Sequence, residues 1–181
     1  TSLTNFFKKY KIKIYKAEKI NTHGGSLRIY IKKDLKIKTD ISVTKLLDEE
    51  YKFGITKFET YKKFGEKIYK IRENVIKNLD KLRKEKKYLI GYGAPAKATT
   101  ALNFFGISNQ IQFIVEDNKL KHKKFIPGVK IPIYSKNKIL DKNSTIVVLA
   151  WNFFKEIVKG NKDLSKSFIN IKSLEKDNFN I

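Results

Sequence analysis

The chain has 181 residues, 41% of them hydrophobic, which is enough for a core of its own. It has no cysteine and only two histidines, His23 and His122, which excludes a disulfide framework and argues against a structural zinc site. Lys and Arg number 40 against 18 Asp and Glu, a net charge of +22. The only arginines are Arg28, Arg72 and Arg83, so the excess reads as lysine on solvated faces rather than as a nucleic-acid surface, where bidentate recognition favours Arg.

The N-terminus, TSLTNFFKKY, has Leu3, Phe6, Phe7 and Tyr10 at helical spacing, with Ser2 as a candidate cap. It lacks the apolar core and small-residue cleavage site of a signal peptide. No apolar run approaches the roughly 20 residues of a membrane span. A cytoplasmic protein that binds neither nucleic acid nor membrane is the expectation. Met is absent, including at position 1, so the chain reads as a piece of something longer.

Residues 11–19 alternate between apolar and lysine positions, as do residues 26–32, and the turn NTHGG lies between them. This predicts an antiparallel hairpin after the first helix. A lone helix and hairpin cannot bury their apolar faces, so they need the remainder of a sheet. In the turn, Gly24 and Gly25 let backbone approach a ligand, and His23 and Ser26 offer hydrogen bonds. From the spacing alone, an ordinary wide turn with an exposed histidine is the better reading.

Residues 34–41 read as a linker. A helix is predicted from Ser42 to about Phe53, with Gly54 as its stop. A second runs from Thr56 to about Lys87, with Phe58, Tyr61, Phe64, Ile68, Ile71, Val75, Leu79 and Leu82 at three- and four-residue steps. Gly65 inside it suggests a close helix crossing. The two helices read as a connector between lobes.

The stretch Tyr88–Gly106, YLIGYGAPAKATTALNFFG, organises the C-terminal half of the chain. Tyr88, Leu89 and Ile90 suit a buried strand. Gly91 and Gly93 break it, and Ala96–Phe105 favours a helix that Gly106 closes. Pro95 suits the first helical position. Such a turn aims free backbone N–H groups at one spot, so Gly93, Ala94, Pro95 and Lys97 predict an anion nearby. The spacing Gly91-x-Gly93-x-x-Ala96 also matches a relaxed dinucleotide fingerprint, and a tight turn that merely packs helix on strand fits as well. Strands are predicted at Gln112–Val115, Val129–Ile133, Thr145–Ala150 and Phe168–Ile171, with a short helix at Phe153–Lys159. The alternation predicts a small doubly wound, Rossmann-like α/β sheet. Its strand ends would bring the glycine turn, Glu116-Asp117-Asn118 and Trp151-Asn152 to one crevice, a nucleotide or sugar-nucleotide site. No nucleophile and base pair stands out, so no catalytic residue is assigned. An NAD-binding module of an oxidoreductase is the alternative, resting on the fingerprint and Glu116/Asp117.

Four blocks, NTHGGSLRIYI, GYGAPAKATTALNFFGI, VEDNKLKHKKFIPGVKIPIYS and VVLAWNFFKEI, resemble in order and spacing the sugar C-methyltransferases that act on deoxysugar nucleotides with S-adenosylmethionine. The resemblance implies an N-terminal zinc lobe, a class I methyltransferase domain and a C-terminal α/β domain. Residues 1–33 would be the last helix and hairpin of the second part, 34–87 a connector, and 88–181 the third part, a substrate-binding domain. The donor motif, the zinc cysteines and the base would lie before the position matching Thr1, in N-terminal domains missing here. His23 matches the family's HGG histidine. His23, Gly24, Gly25 and Ser26 are then expected at the substrate cleft. Gly93, Ala94, Pro95 and Lys97 are expected near an anion, with Asn118, Trp151 and Asn152 beside them. The substrate would be a nucleotide-linked keto-deoxysugar or similar acceptor.

Overall fold

A computed structural model describes residues 1–85, 88–177 and 179, with only the backbone of residue 23. The chain divides into two compact units, Thr1–Glu66 and Lys67–Ile181.

In the first unit, α1 (Ser2–Lys8) leads into an antiparallel hairpin of β1 (Lys13–Ile20) and β2 (Ser26–Lys32). The cap of α1 is Thr1, one residue before the expected Ser2, and its side chain makes no capping bond. A register shift between Ile14 and Lys16 puts Tyr15 in a bulge, whose carbonyl accepts the Asp40 N–H at 2.8 Å. The Asp40 carboxylate then accepts the Ser42 N–H at 2.9 Å and starts α2 (Ile41–Phe53), since an acidic cap satisfies an otherwise unpaired donor. Gly54 at φ 80 ends α2 in the left-handed conformation expected of its glycine. Ile14, Ala17 and Val43 form a small core with Phe7, Ile29, Leu46 and Leu47 against it.

Helix α3 (Phe58–Lys84) follows the predicted 3.6-residue period, and the unit boundary falls within it. Among the described residues, a Cβ at Gly65 would meet nothing within 4 Å, so the close crossing expected there is absent.

The second unit is a five-stranded sheet in the order β5-β4-β3-β6-β7, parallel throughout. The strands are β3 (Leu89–Tyr92), β4 (Ile114–Val115), β5 (Ile133–Tyr134), β6 (Thr145–Val148) and β7 (Ser167–Asn170). The chain starts in the centre at β3, steps outward to β5, then returns to β6 beside β3. The ends of β3 and β6 therefore form the switch point where open α/β sheets hold ligands.

Alternate residues of each strand enter opposite cores, as the two-residue period of a strand requires. Leu89, Ile114 and Val147 join Val75, Leu79 and Leu82 of α3 and Ala98 and Leu102 of α4 (Ala96–Phe105). Ile90, Val115, Ile146 and Val148 face Phe154 and Ile157 of α5 (Phe154–Gly160). Helices thus cover both faces, the doubly wound α/β arrangement expected from the sequence. Buried Asn78 donates to the carbonyls of Leu174 and Lys176, both at 2.9 Å, and Asn74 to that of Glu175, which fastens the chain end to α3.

The strand expected over Val129–Ile133 shrinks to Ile133–Tyr134. Gly128 and Lys130 both have positive φ, and Phe125 bridges Pro132 antiparallel, so the segment folds back on itself before it can pair with β4.

Candidate functional site

Pro95 sits at the cap of α4 rather than at its first turn position, with an extended ψ of 163°. Its carbonyl accepts the Ala98 N–H at 2.9 Å. Gly93 has φ 88, and a Cβ there would lie 2.9 Å from the Ala150 Cβ, two residues past β6. Glycine is required at this turn both by its backbone conformation and by the close approach of the neighbouring strand.

Two of the donors expected to be free at the turn, the N–H groups of Gly93 and Ala94, are engaged. The Gly93 N–H donates to the Val115 carbonyl at 2.8 Å, continuing the ladder between β3 and β4. The Ala94 N–H donates to the Glu116 carboxylate at 2.8 Å. Pro95 has no N–H. Glu116 also accepts the Asn118 N–H at 3.1 Å, and the Lys121 ammonium sits 3.5 Å from it while donating to the Ala94 carbonyl at 2.9 Å. Burial pushes the Glu116 carboxyl up, but the N–H groups of Asn118 and Ala94 and the Lys121 cation outweigh it and hold the carboxyl below the usual carboxylate range. His122 lies with Nε2 2.7 Å from the Glu116 carbonyl, which fixes the same corner from the backbone side.

Beside it stands a second polar network. Tyr92, buried in the sheet, donates its hydroxyl to Asp117 at 2.9 Å and contacts the Asn161 amide oxygen at 3.3 Å. Lys136 reaches Asp117 at 2.7 Å and Asn161 at 2.8 Å, with its ammonium 5.6 Å from the centroid of the Tyr92 ring. Burial raises the Tyr92 hydroxyl, and Asp117 adds to this against the pull of Lys136. Burial also opposes the charge of Asp117, yet Lys136 and the Tyr92 hydroxyl hold its carboxyl below the ordinary value. Each member is satisfied by another, so the network braces the ends of β3 and β4.

Of the residues expected here, the structure gathers Gly93, Ala94 and Asn118 around Glu116. The Asn118 side chain accepts the Leu120 N–H at 3.0 Å, a local turn. Lys97 and Trp151 meet separately, the ammonium 5.9 Å from the ring centroid, a cation over an aromatic face. Asn152 is exposed on the following turn.

His23, Gly24, Gly25 and Ser26 belong to the other unit. Gly24 and Gly25 have φ 88 and 117 with open space where a Cβ would stand, and Ser26 donates to the Thr22 carbonyl at 3.1 Å. The side chain of His23 lies outside the described residues. Gly25 and Ser26 edge a groove of about 850 Å³ whose walls include Ile14, Ala17, Leu46 and Leu47.

Lys121, Lys136, Tyr92 and Asn161 also belong to these networks, and no motif in the sequence marks them. Lys121 follows Glu116 by five residues, which spacing alone does not mark. Lys136 and Asn161 reach the site only through the order of the strands.

The model of the C-methyltransferase C-terminal domain matches residues 21–170. The chain belongs to that family. It is also 28% identical over 167 residues to the C-methyltransferase NovU of Streptomyces niveus, an alignment that covers 90% of this chain and 39% of that protein. The chain thus spans well under half the length of this relative. The matched segment runs from the glycine turn of the first unit to the end of β7.

Among the described residues, no group of three or more His, Asp or Glu side chains could hold a metal ion, and no helix is long and apolar enough to cross a membrane.

Proposed function

We propose that this chain is the C-terminal part of an S-adenosylmethionine-dependent C-methyltransferase, and that it holds a nucleotide-linked keto-deoxysugar or similar acceptor during methyl transfer. The observation that carries this reading is the family match across both units, from Asn21 to Asn170. NovU, named as a C-methyltransferase, supports the transferred group.

Residues 1–33 then form the last helix and hairpin of a class I methyltransferase domain, residues 34–87 a helical connector, and residues 88–181 the substrate-binding domain. The groove over β1, β2 and α2, walled largely by apolar side chains, supports this division. S-adenosylmethionine supplies the methyl sulfonium in this family. The glycine turn is a poor fit for it, since its Gly93 and Ala94 N–H groups are engaged by Val115 and Glu116. This reading assigns the chain's residues to substrate holding and the donor site to other parts of the protein.

At the switch point, Lys97 offers a cation and Trp151 a flat aromatic face, a pair suited to a phosphate and the ring beside it. Gly93, Ala94, Pro95, Asn118 and Asn152 shape the rest of that crevice. Gly24 and Gly25 leave room for close backbone approach, with His23 and Ser26 beside them.

Calorimetric titration of the protein with a dTDP-linked keto-deoxysugar tests the reading. Saturable binding that Lys97→Ala weakens is expected. Absence of binding by the unaltered protein would sink it.

A further inference from the structure

The strand–turn–helix at Gly91–Ala96 has the spacing of a dinucleotide fingerprint, yet Gly93, Ala94 and Pro95, three of the backbone positions that face such a pyrophosphate, are each closed by a different means. The Gly93 N–H lies in the ladder with Val115, the Ala94 N–H is bonded to Glu116 at 2.8 Å, and Pro95 brings no donor. We propose that Glu116 is a built-in anion which fills the phosphate position of this turn, and that it is the residue excluding dinucleotides from the switch point of the sheet.

Three features of the carboxylate match what such a turn gives a bound phosphate. It accepts two backbone N–H groups, from Ala94 and Asn118, one on each oxygen. A lysine ammonium, from Lys121, neutralises it at 3.5 Å. Its side chain is only 14% exposed, so a free anion would have to displace it rather than bind beside it. A carboxylate placed at the end of the second strand commonly reaches outward to a ribose. Here it turns inward. A second negative charge brought to the same N–H groups would meet uncompensated repulsion in a site partly closed to water. Lys121 completes the plug by bonding the Ala94 carbonyl at 2.9 Å, so carboxylate and ammonium hold Ala94 by its N–H and its carbonyl. This defines the ligand class of the crevice. A substrate's anionic group is met by side chains at its rim, not by the backbone amides of the turn. This conclusion holds whatever the methyl acceptor is.

The test titrates inorganic pyrophosphate and NADH, by calorimetry, into the unaltered protein and into Glu116→Ala. The unaltered protein should show no saturable heat with NADH at millimolar concentration, and should bind pyrophosphate only weakly, through side chains at the rim. Glu116→Ala uncovers two N–H donors and the Lys121 ammonium, so it should bind pyrophosphate at least about tenfold more tightly. Equal affinity of the two proteins, or saturable NADH binding by the unaltered one, would overturn the proposal. A measurement on the unaltered protein stands apart from any folding defect of the variant. The amide resonances of Ala94 and Asn118 should shift together as acid protonates one carboxylate, and should stay fixed when pyrophosphate is added. Amide signals indifferent to acid but moved by pyrophosphate would also overturn it.

Discussion

Replacing Gly93 with alanine tests the geometry of the switch point most sharply. The backbone there has φ 88, a conformation that costs an L-residue roughly 1–2 kcal/mol. The new Cβ would stand 2.9 Å from the Ala150 Cβ and 3.5 Å from the Ala150 nitrogen, so backbone as well as side chain would have to shift. Overpacking of that kind costs about 1–3 kcal/mol, so the sum is about 2–5 kcal/mol. Gly106→Ala is the matched control in the same unit. It has φ 71, and its Cβ would be 3.6 Å from the Arg72 guanidinium, an ordinary contact, so only the backbone strain of roughly 1–2 kcal/mol applies. Urea unfolding followed by the fluorescence of Trp151 measures both variants. If Gly93→Ala proves no more destabilising than Gly106→Ala, the close approach of β3 and β6 at this turn is wrong.

Asn78→Ala should destabilise by about 1–3 kcal/mol, because it strands the buried carbonyl of Leu174 and the partly buried one of Lys176; thermal unfolding by circular dichroism measures it. Tyr92→Phe removes one hydroxyl from a network with other members, and a loss of about 1 kcal/mol in the same assay is expected. For Glu116 the sign comes from a folded carboxyl held below its unfolded value. Its stabilisation is fully present above the unfolded range near about pH 4.3 and fades as pH falls through the lower folded value. Glu116→Gln should therefore flatten the acid limb of the stability curve, and an unchanged limb would assign that limb to other carboxyls.

Much of the fold is legible in the chain. Helix α4 spans Ala96–Phe105 with Gly106 at its close, as the residues predict, because a glycine stop and an apolar helical face are both local signals. Strand β6 sits inside the TIVVLA run, whose continuous β-branched character belongs to a strand buried on both faces. The features that could not be read were set by distance in sequence. Glu116 reaches 22 residues back to Ala94, and Lys136 lies one strand beyond Asp117. Periodicity places Glu116 at a strand end but says nothing of which way its carboxylate turns. That turn closes the donors that the glycine spacing led one to expect open. The brevity of β5 has a similar cause, since the fold-back between Phe125 and Pro132 competes with a strand pattern at Val129, Ile131 and Ile133 that is locally sound.

The central claim is that the second unit grips a nucleotide-linked sugar at the rim of a sheet whose amide cradle is already filled. Side-by-side calorimetry with a dTDP-linked keto-deoxysugar and with NADH puts it to the question. The account predicts saturable binding of the sugar and none of NADH; binding of NADH alone would contradict it.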